Sequence, residues 1–352
     1  MCHIDILEDL YFSVINPAPV HILCYRPEEW SGGRAEYMGR QEEILRVLAP
    51  GLRAALRTMS SCWDEVEEIR LRVGQPLAVT RYGRSVFVEE QGGHPVTMEE
   101  IRDTVNLLSS YSRYAFEDKI RQGFLTIQGG HRVGLAGRVI LEQTADGGMV
   151  KTISPITFLN IRIARQMIGC ADQVLPLLWE RDAFYDTLLI SPPGMGKTTL
   201  LRDLIRLVSY QGMTVGVVDE RSELAACYQG IPQNDLGPRT DVLDGCLKAE
   251  GLMMMVRTMA PQILAVDEVG SEADHHALEY AMHCGCRLLV TAHGSSWEEA
   301  LQRPCLGRWL EEGRFGRYVL IEKRILGKNR MFRYQVCDQK GKIIASVQSN
   351  NE

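Results

Sequence analysis

The residues best suited to chemistry lie in one short run, SPPGMGKTTL, from Ser191 to Leu200. Small residues in such a run let backbone N–H groups turn toward phosphate oxygens. Lys197 is then placed to neutralise the β- and γ-phosphates of a nucleotide, and the hydroxyl of Thr198 to ligate Mg²⁺. The run therefore predicts a phosphate-binding loop for ATP and Mg²⁺. The expected nucleotide contacts in this loop are Pro193, Gly194, Met195, Gly196, Lys197, Thr198 and Thr199.

The sequence on either side of the run supports this interpretation. DTLLIS, before it, is typical of a short buried strand, and TTLLRDLIRLVSY, after it, has apolar residues at helical spacing. Ser191 stands where the motif usually has glycine, but a small residue fits at a strand exit, and Pro192 and Pro193 stiffen the turn. A chance Gly-Lys-Thr turn is the alternative, and the order of strand, loop and helix favours the phosphate loop.

A second candidate is the carboxylate pair at the end of the apolar run ILAVDEVG. The pattern predicts a buried strand with Asp267 and Glu268 at its C-terminal edge, where ligands bind in open α/β sheets. Asp267 suits the outer shell of Mg²⁺, and Glu268 suits polarising the attacking water. The alternative is a solvated strand end, which the preceding phosphate loop disfavours.

Two further strand ends carry polar residues whose role the sequence leaves open. In VVDERSEL, Glu220 is a candidate second catalytic carboxylate, but acids here would also suit a helix N-terminus. In VTAHG, Thr291 or His293 is a candidate sensor of the γ-phosphate at a strand's C-terminal end. A purely structural histidine is the alternative.

Composition limits the class of protein. A chain of 352 residues has room for two or more domains. Its net charge of −6 and the lack of interleaved aromatic and basic residues argue against a dedicated nucleic-acid binder. Its ten scattered cysteines fit a reducing cytosol, and no apolar run is long enough to cross a bilayer. We therefore expect a cytoplasmic protein without intrinsic membrane insertion.

The order of patterns predicts an α/β protein with two main units. Residues 1–37 show no sustained period and form an expected N-terminal extension, and residues 38–150 mix strand and helix patterns into a smaller α+β domain. Residues 151–180 are expected to connect the two units. Residues 181–352 alternate strands and helices, which together with the phosphate loop predicts a parallel sheet of the P-loop NTPase type, closed by an antiparallel meander.

From about Met38 to its C-terminus the chain resembles the stage III sporulation protein AA family, ATPases of endospore formers related to type II and type IV secretion ATPases. The markers are EEIRLRVGQPL, FLTIQGGHRVGLAGR, ITFLNIRIAR, SPPGMGKTTLLRD, VDERSEL, RTDVLDGCLKAEG, MMVRTMAPQILAVDEVG and TAHG. Ser191 and Leu247 depart from the family pattern without touching a catalytic group. The family resemblance implies the RecA- or secretion-ATPase-like form of the P-loop NTPase fold.

The resemblance implies roles that the residues alone do not give. VDERSEL resembles the acidic box and TAHG the histidine box of secretion ATPases, and Arg257 becomes a candidate nucleotide or subunit contact. It also implies a hexameric ring on the mother-cell side of a membrane-embedded complex that joins mother cell and forespore. The protein would then be cytoplasmic and held at the membrane by its partners.

Two classes of function remain open from sequence. One is a motor ATPase that couples hydrolysis to assembly of, or transport through, a membrane complex. The other is a nucleic-acid-dependent ATPase with a RecA-like core, which the acidic net charge disfavours. A nucleotide-gated scaffold with slow hydrolysis is a third possibility.

Overall fold

The computed structural model describes residues 40–349, except 89–92, 94, 110–119, 122, 145–146, 182 and 327–328. The expected extension at 1–37 lies outside the described residues. None of the helices in the described ranges is long and apolar enough to span a membrane.

The N-terminal unit is one sheet covered on one face by helices. Its strands are β1 (Val66–Arg72), β2 (Ala78–Arg81), β3 (Arg84–Phe87), β4 (Phe124–Thr126), β5 (Arg132–Thr144) and β6 (Gly147–Arg162). Its helices are α1 (Arg40–Arg46), α2 (Pro50–Arg57) and α3 (Met98–Leu108), with short 3₁₀ turns at Ser60–Glu65 and Gln128–Gly130. The six strands lie in the order β3-β2-β1-β6-β5-β4, and the pairings among them are antiparallel.

Alternation of apolar and charged side chains along the strands decides which face of this sheet the helices cover. Ile69 and Leu71 of β1 are fully buried and share a core with Leu52 of α2 and Ile101 of α3. The side chains between them, such as Arg70, point to the other face and are only partly buried. Helix α3 begins at Met98, and its N-cap Thr97 forms a capping box with Glu100.

The start of the expected connecting segment belongs to this sheet. Residues 151–162 are the second part of β6, which pairs with β1 on one side and β5 on the other. The boundary expected at residue 150 therefore falls inside a strand. The chain leaves the N-terminal sheet only after Arg162.

The C-terminal unit is a larger sheet with helices on both faces. Its strands are β9 (Thr187–Ser191), β10 (Val215–Asp219), β11 (Thr240–Asp244), β12 (Ile263–Val266), β13 (Arg287–His293), β14 (Arg317–Leu326), β15 (Asn329–Cys337) and β16 (Ile343–Gln348). Its helices are α4 (Lys197–Tyr210), α5 (Lys248–Thr258), α6 (Glu272–His283), α7 (Trp297–Leu301) and α8 (Pro304–Glu311). A 3₁₀ turn at Leu175–Leu178 and a hairpin of β7 (Trp179–Glu180) and β8 (Ala183–Phe184) precede this sheet.

Successive residues of the central strands enter two separate cores. Leu189 of β9 packs with the α4 residues Leu200 and Leu204, whereas Leu188 and Ile190 pack in the cluster that includes α5, α6 and α8. This explains why β9 is a continuous apolar run rather than an alternating one.

The strand order is β11-β10-β12-β13-β9-β14-β15-β16. The first six strands in this order are parallel, and β14, β15 and β16 pair antiparallel as consecutive neighbours. Strand β13 lies between β9 and β12 and is parallel to both. Its last residues therefore lie between the C-terminal ends of β9 and β12.

Candidate active site

The loop after β9 has the backbone that a phosphate-binding loop requires. Gly194 and Gly196 have φ of +73° and +91°, values that favour glycine. Gly196 is the N-cap of α4 and offers no side chain to cap the first turn, so N–H groups there can face an anion. Ser191, the non-glycine departure, is the buried last residue of β9 and needs no positive φ.

Lys197 lies in a pocket of acceptors at the centre of the site. Its side chain is almost fully buried and donates to the carbonyl oxygen of Ser191 at 3.1 Å. A second contact joins its Nζ to Nδ1 of His293 at 2.8 Å. Burial lowers the pKa of Lys197, and the charges of Asp267 and Glu268 oppose that shift. The ammonium is thus poorly solvated and suited to a charged ligand.

Asp267 organises the position expected for the metal. Its Oδ2 accepts a hydrogen bond of 2.6 Å from the hydroxyl of Thr198, and its Oδ1 accepts one from the hydroxyl of Thr291. A hydroxyl and a carboxylate are the oxygen donors that Mg²⁺ prefers when phosphates complete its shell. The two sequence-predicted metal residues are therefore adjacent and chemically suited to Mg²⁺.

Both carboxylate oxygens of Glu268 have a partner. Its Oε1 lies 3.1 Å from Nε2 of His293, and its Oε2 lies 3.3 Å from Nη1 of Arg221. Its backbone has φ of +57°, and its N–H donates to the hydroxyl of Thr291. Such a backbone is unusual for a residue other than glycine and is found where local structure fixes it.

His293 links the lysine to the glutamate. Because Lys197 can only donate, Nδ1 of His293 accepts, and Nε2 then carries the proton that is donated to Glu268. The neutral imidazole is thereby held in one tautomer. The expected contact residue of the histidine box therefore lies between the phosphate-loop lysine and the candidate catalytic carboxylate.

The residues after β10 form a turn, so the helix start considered from sequence is wrong. The buried carboxylate of Asp219 accepts hydrogen bonds of 2.8 to 2.9 Å from the N–H groups of Glu223, Leu224 and Ala225. Burial raises the pKa of Asp219 to about 6, although the three N–H groups lower it. We call residues 219–225 the acidic turn.

The acidic turn and the acid pair line one cleft at the C-terminal edge of the sheet. Glu220, the second carboxylate expected to be catalytic, contacts the ammonium of Lys248 at 2.5 Å. Glu223 instead reaches the N-terminal sheet, with its Oε1 3.0 Å from Nη1 of Arg132. The residues of the cleft are Val218, Asp219, Glu220, Arg221, Glu223, Lys248, Asp267 and Glu268.

Arg257 lies away from the phosphate loop of its own chain. Helix α5 begins beside the cleft at Lys248 and runs back along the sheet for about 15 Å at the helical rise. Arg257 is in its last turn, exposed, with its guanidinium 5.9 Å from the ring centre of Tyr280. Its expected contact with a nucleotide or a neighbouring subunit stays a prediction.

Sequence reasoning gave no role to two arginines that the structure places at the site. Arg202 of α4 donates to the carbonyl oxygens of Glu223 and Leu224, which ties the phosphate-loop helix to the acidic turn. Arg221 contacts Glu268. The position of Arg221 inside VDERSEL was the only available signal for it.

These features together define a class of protein, the P-loop ATPase fold of the secretion type. The ATPase DotB of Legionella pneumophila has a TM-score of 0.55 to this chain at 15% identity, over 82% of this chain and 80% of DotB. The pilus retraction motor PilT, solved with bound ADP, has a TM-score of 0.54 at 14% identity, over 80% and 82% of the two chains. At such identities the likeness concerns the fold.

Sequence comparison then identifies the family. A sequence model of the family described as "Sporulation stage III, protein AA" matches residues 38–343. Stage III sporulation protein AA of Bacillus subtilis strain 168 is 43% identical over 309 residues, which cover 86% of this chain and 97% of the relative. The chain belongs to the Sporulation stage III, protein AA family, which confirms the resemblance expected from about Met38.

Proposed function

We propose that the protein hydrolyses ATP and that Glu268 is the general base. The observation that carries this proposal is the chain of contacts from Lys197 through His293 to Glu268. A phosphate oxygen that accepts from the ammonium of Lys197 would compete with His293 for it. His293 can then reorient, and Glu268 is the group to which it is bonded.

The other residues have distinct tasks in this proposal. N–H groups at the start of α4 bind phosphate oxygens, and Lys197 neutralises their charge. Thr198 and Asp267 would hold Mg²⁺, which neutralises charge that develops on the β- and γ-phosphates. Glu268 accepts a proton from the attacking water, since a carboxylate fixed by two donors keeps free lone pairs.

The first experiment separates binding from turnover. Glu268→Gln should bind ATP as the wild type does but hydrolyse it at least about 100-fold more slowly, because the amide cannot accept the proton. Glu220→Gln is the matched control, since Glu220 lies in the same cleft but contacts Lys248.

Phosphate release and the binding of a fluorescent ATP analogue are measured for both variants. A larger loss of rate in Glu220→Gln would move the catalytic role to the acidic turn. Unchanged rates in both variants would contradict the proposed site.

We also propose that the ATPase is the motor of a sporulation-specific, secretion-like membrane complex between mother cell and forespore, acting as a hexameric ring in the mother-cell cytoplasm. Membership of the Sporulation stage III, protein AA family and the fold shared with DotB and PilT support this proposal. The N-terminal unit would dock to membrane-embedded components, since the C-terminal unit carries the nucleotide.

Self-association and recruitment test this second proposal. Specific activity should rise with protein concentration, and light scattering should detect a larger species with ATP than without, if a neighbouring subunit completes the site. Sedimentation with membranes should require the sporulation complex and should not occur with bare anionic vesicles at physiological salt. Full activity as a monomer, or stimulation by single-stranded DNA alone, would contradict it.

A further inference from the structure

Arg221 faces the candidate catalytic glutamate from the acidic turn. Its Nη1 lies 3.3 Å from Oε2 of Glu268, and its side chain is 63% exposed. The backbone beneath it is fixed, because Asp219 caps the following residues and the hydroxyl of Ser222 donates to Asp244 at 2.5 Å. The guanidinium therefore projects from a rigid turn at the rim of the cleft.

The three acidic residues of the acidic turn each have a partner other than Arg221. Glu220 contacts Lys248, and Glu223 contacts Arg132. Asp219 accepts three backbone N–H groups. Arg221 is thus not needed to neutralise its neighbours in sequence, and Glu268 on the adjacent strand end is the carboxylate that it meets.

We propose that Arg221 is a positioning residue for Glu268, an assignment that rests on the proposed hydrolysis. His293 holds one oxygen of the carboxylate and Arg221 holds the other, so the carboxylate plane is fixed from two sides. An ionised carboxylate has about four lone-pair sites, so two bonds leave acceptor capacity for water. Arg221 acts through Glu268 rather than on the phosphate.

Arg221→Ala should reduce kcat by about 10- to 100-fold, because a displaced general base loses the geometry of attack. ATP affinity and KM should stay within about twofold, since Arg221 makes no ground-state contact with nucleotide in this proposal. Arg221→Lys should recover part of the loss, because the cation remains but the planar fork is gone. Arg102→Ala is the matched control, an exposed arginine 3.4 Å from Glu99 on α3.

A double-mutant cycle decides whether Arg221 acts through Glu268. In single-turnover hydrolysis, Arg221→Ala should have little further effect once Glu268 is replaced by Gln. An equal loss in both backgrounds would mean a direct contact with phosphate and would overturn the assignment, as would unchanged or faster turnover in Arg221→Ala alone. If Glu268→Gln itself keeps full turnover, the proposed hydrolytic site fails, and the assignment fails with it.

Discussion

The two sheets of this chain differ in how many of their faces are buried. The eight-stranded sheet has a core on each face, and β9, β10 and β12 are buried at every position. Within the described part of the chain, the helices of the six-stranded sheet lie on one face only, so β1 alternates between buried and partly exposed residues. The first sheet has room for polar side chains mainly where its strands end.

This difference explains where the chemistry lies. Asp267 and Glu268 are the two residues that follow β12, and His293 is the last residue of β13. Glu268 and His293 therefore meet at one edge of the sheet. In the six-stranded sheet, Glu68, Arg70 and Arg72 are spread along the open side of β1. A sheet buried on both faces concentrates charge at an edge, whereas a sheet with one open face distributes it over a surface.

The largest effect is expected when the ammonium of Lys197 is removed from the charged edge of the eight-stranded sheet. Lys197→Ala should weaken binding of a fluorescent ATP analogue by about 100-fold or more, which corresponds to about 3 kcal/mol. The reason is that the lysine is the ammonium of the loop and is already desolvated. Lys340→Ala, in the exposed turn between β15 and β16, is the control. Equal affinity in Lys197→Ala and wild type would exclude the loop as the site.

A smaller effect is expected at the acidic turn, whose backbone is held by the buried carboxylate of Asp219. Asp219→Asn should lower the free energy of unfolding by about 1–3 kcal/mol, because an amide leaves at least one buried N–H group without its acceptor. Chemical denaturation measures this loss. Asp241→Asn, at an exposed position of the neighbouring β11, should leave stability unchanged.

The same carboxylate predicts a pH dependence. Because the folded-state pKa of Asp219 is raised from 3.8 to about 6, the folded protein binds this proton more tightly than the unfolded chain does. The stabilisation of the folded state that comes from this proton is therefore fully present below pH 4 and is lost as pH rises through 6. Asp219→Asn should remove that part of the slope between pH 4 and 6, and an unchanged slope in the variant would contradict the assignment.

The smallest effect is expected where the two sheets meet. Arg132 on β5 contacts Glu223 of the acidic turn, with side chains 32% and 38% exposed. For a pair this accessible, a double-mutant cycle with Arg132→Ala and Glu223→Ala should give a coupling of about 1 kcal/mol or less. The coupling is measured in the free energy of unfolding, and Arg72→Ala on the open face is the control that should leave this energy nearly unchanged. A coupling of several kcal/mol would mean that the two sheets are not energetically separate.

Local patterns were enough to predict the loop, the acid pair and the histidine. Each of these is a short polar run at the end of an apolar strand, and strand order brings such runs together. The acidic turn could not be predicted in this way. Its residues suit a helix start, and only the burial of Asp219 against three N–H groups selects the turn.

The second half of β6 was missed for a different reason. Pro155 and polar residues such as Asn160 weaken the strand pattern, which favoured a connecting segment. The register between β5 and β6 shifts near Gly137, where an added Cβ would lie 2.1 Å from the carbonyl oxygen of Pro155. Bulges of this kind accommodate proline in a long strand, and they depend on contacts between residues far apart in sequence.

The place of β9 in its sheet has a consequence for synthesis on the ribosome. Its two neighbours, β13 and β14, are both made later than β9 itself, and β14 begins only at Arg317. The phosphate-loop strand therefore emerges with both edges unpaired and gains its second partner only after β14 has been made. The N-terminal sheet, whose strands end at Arg162, can be complete by then, so the nascent chain can form its first sheet before the strands on both sides of its phosphate loop are in place.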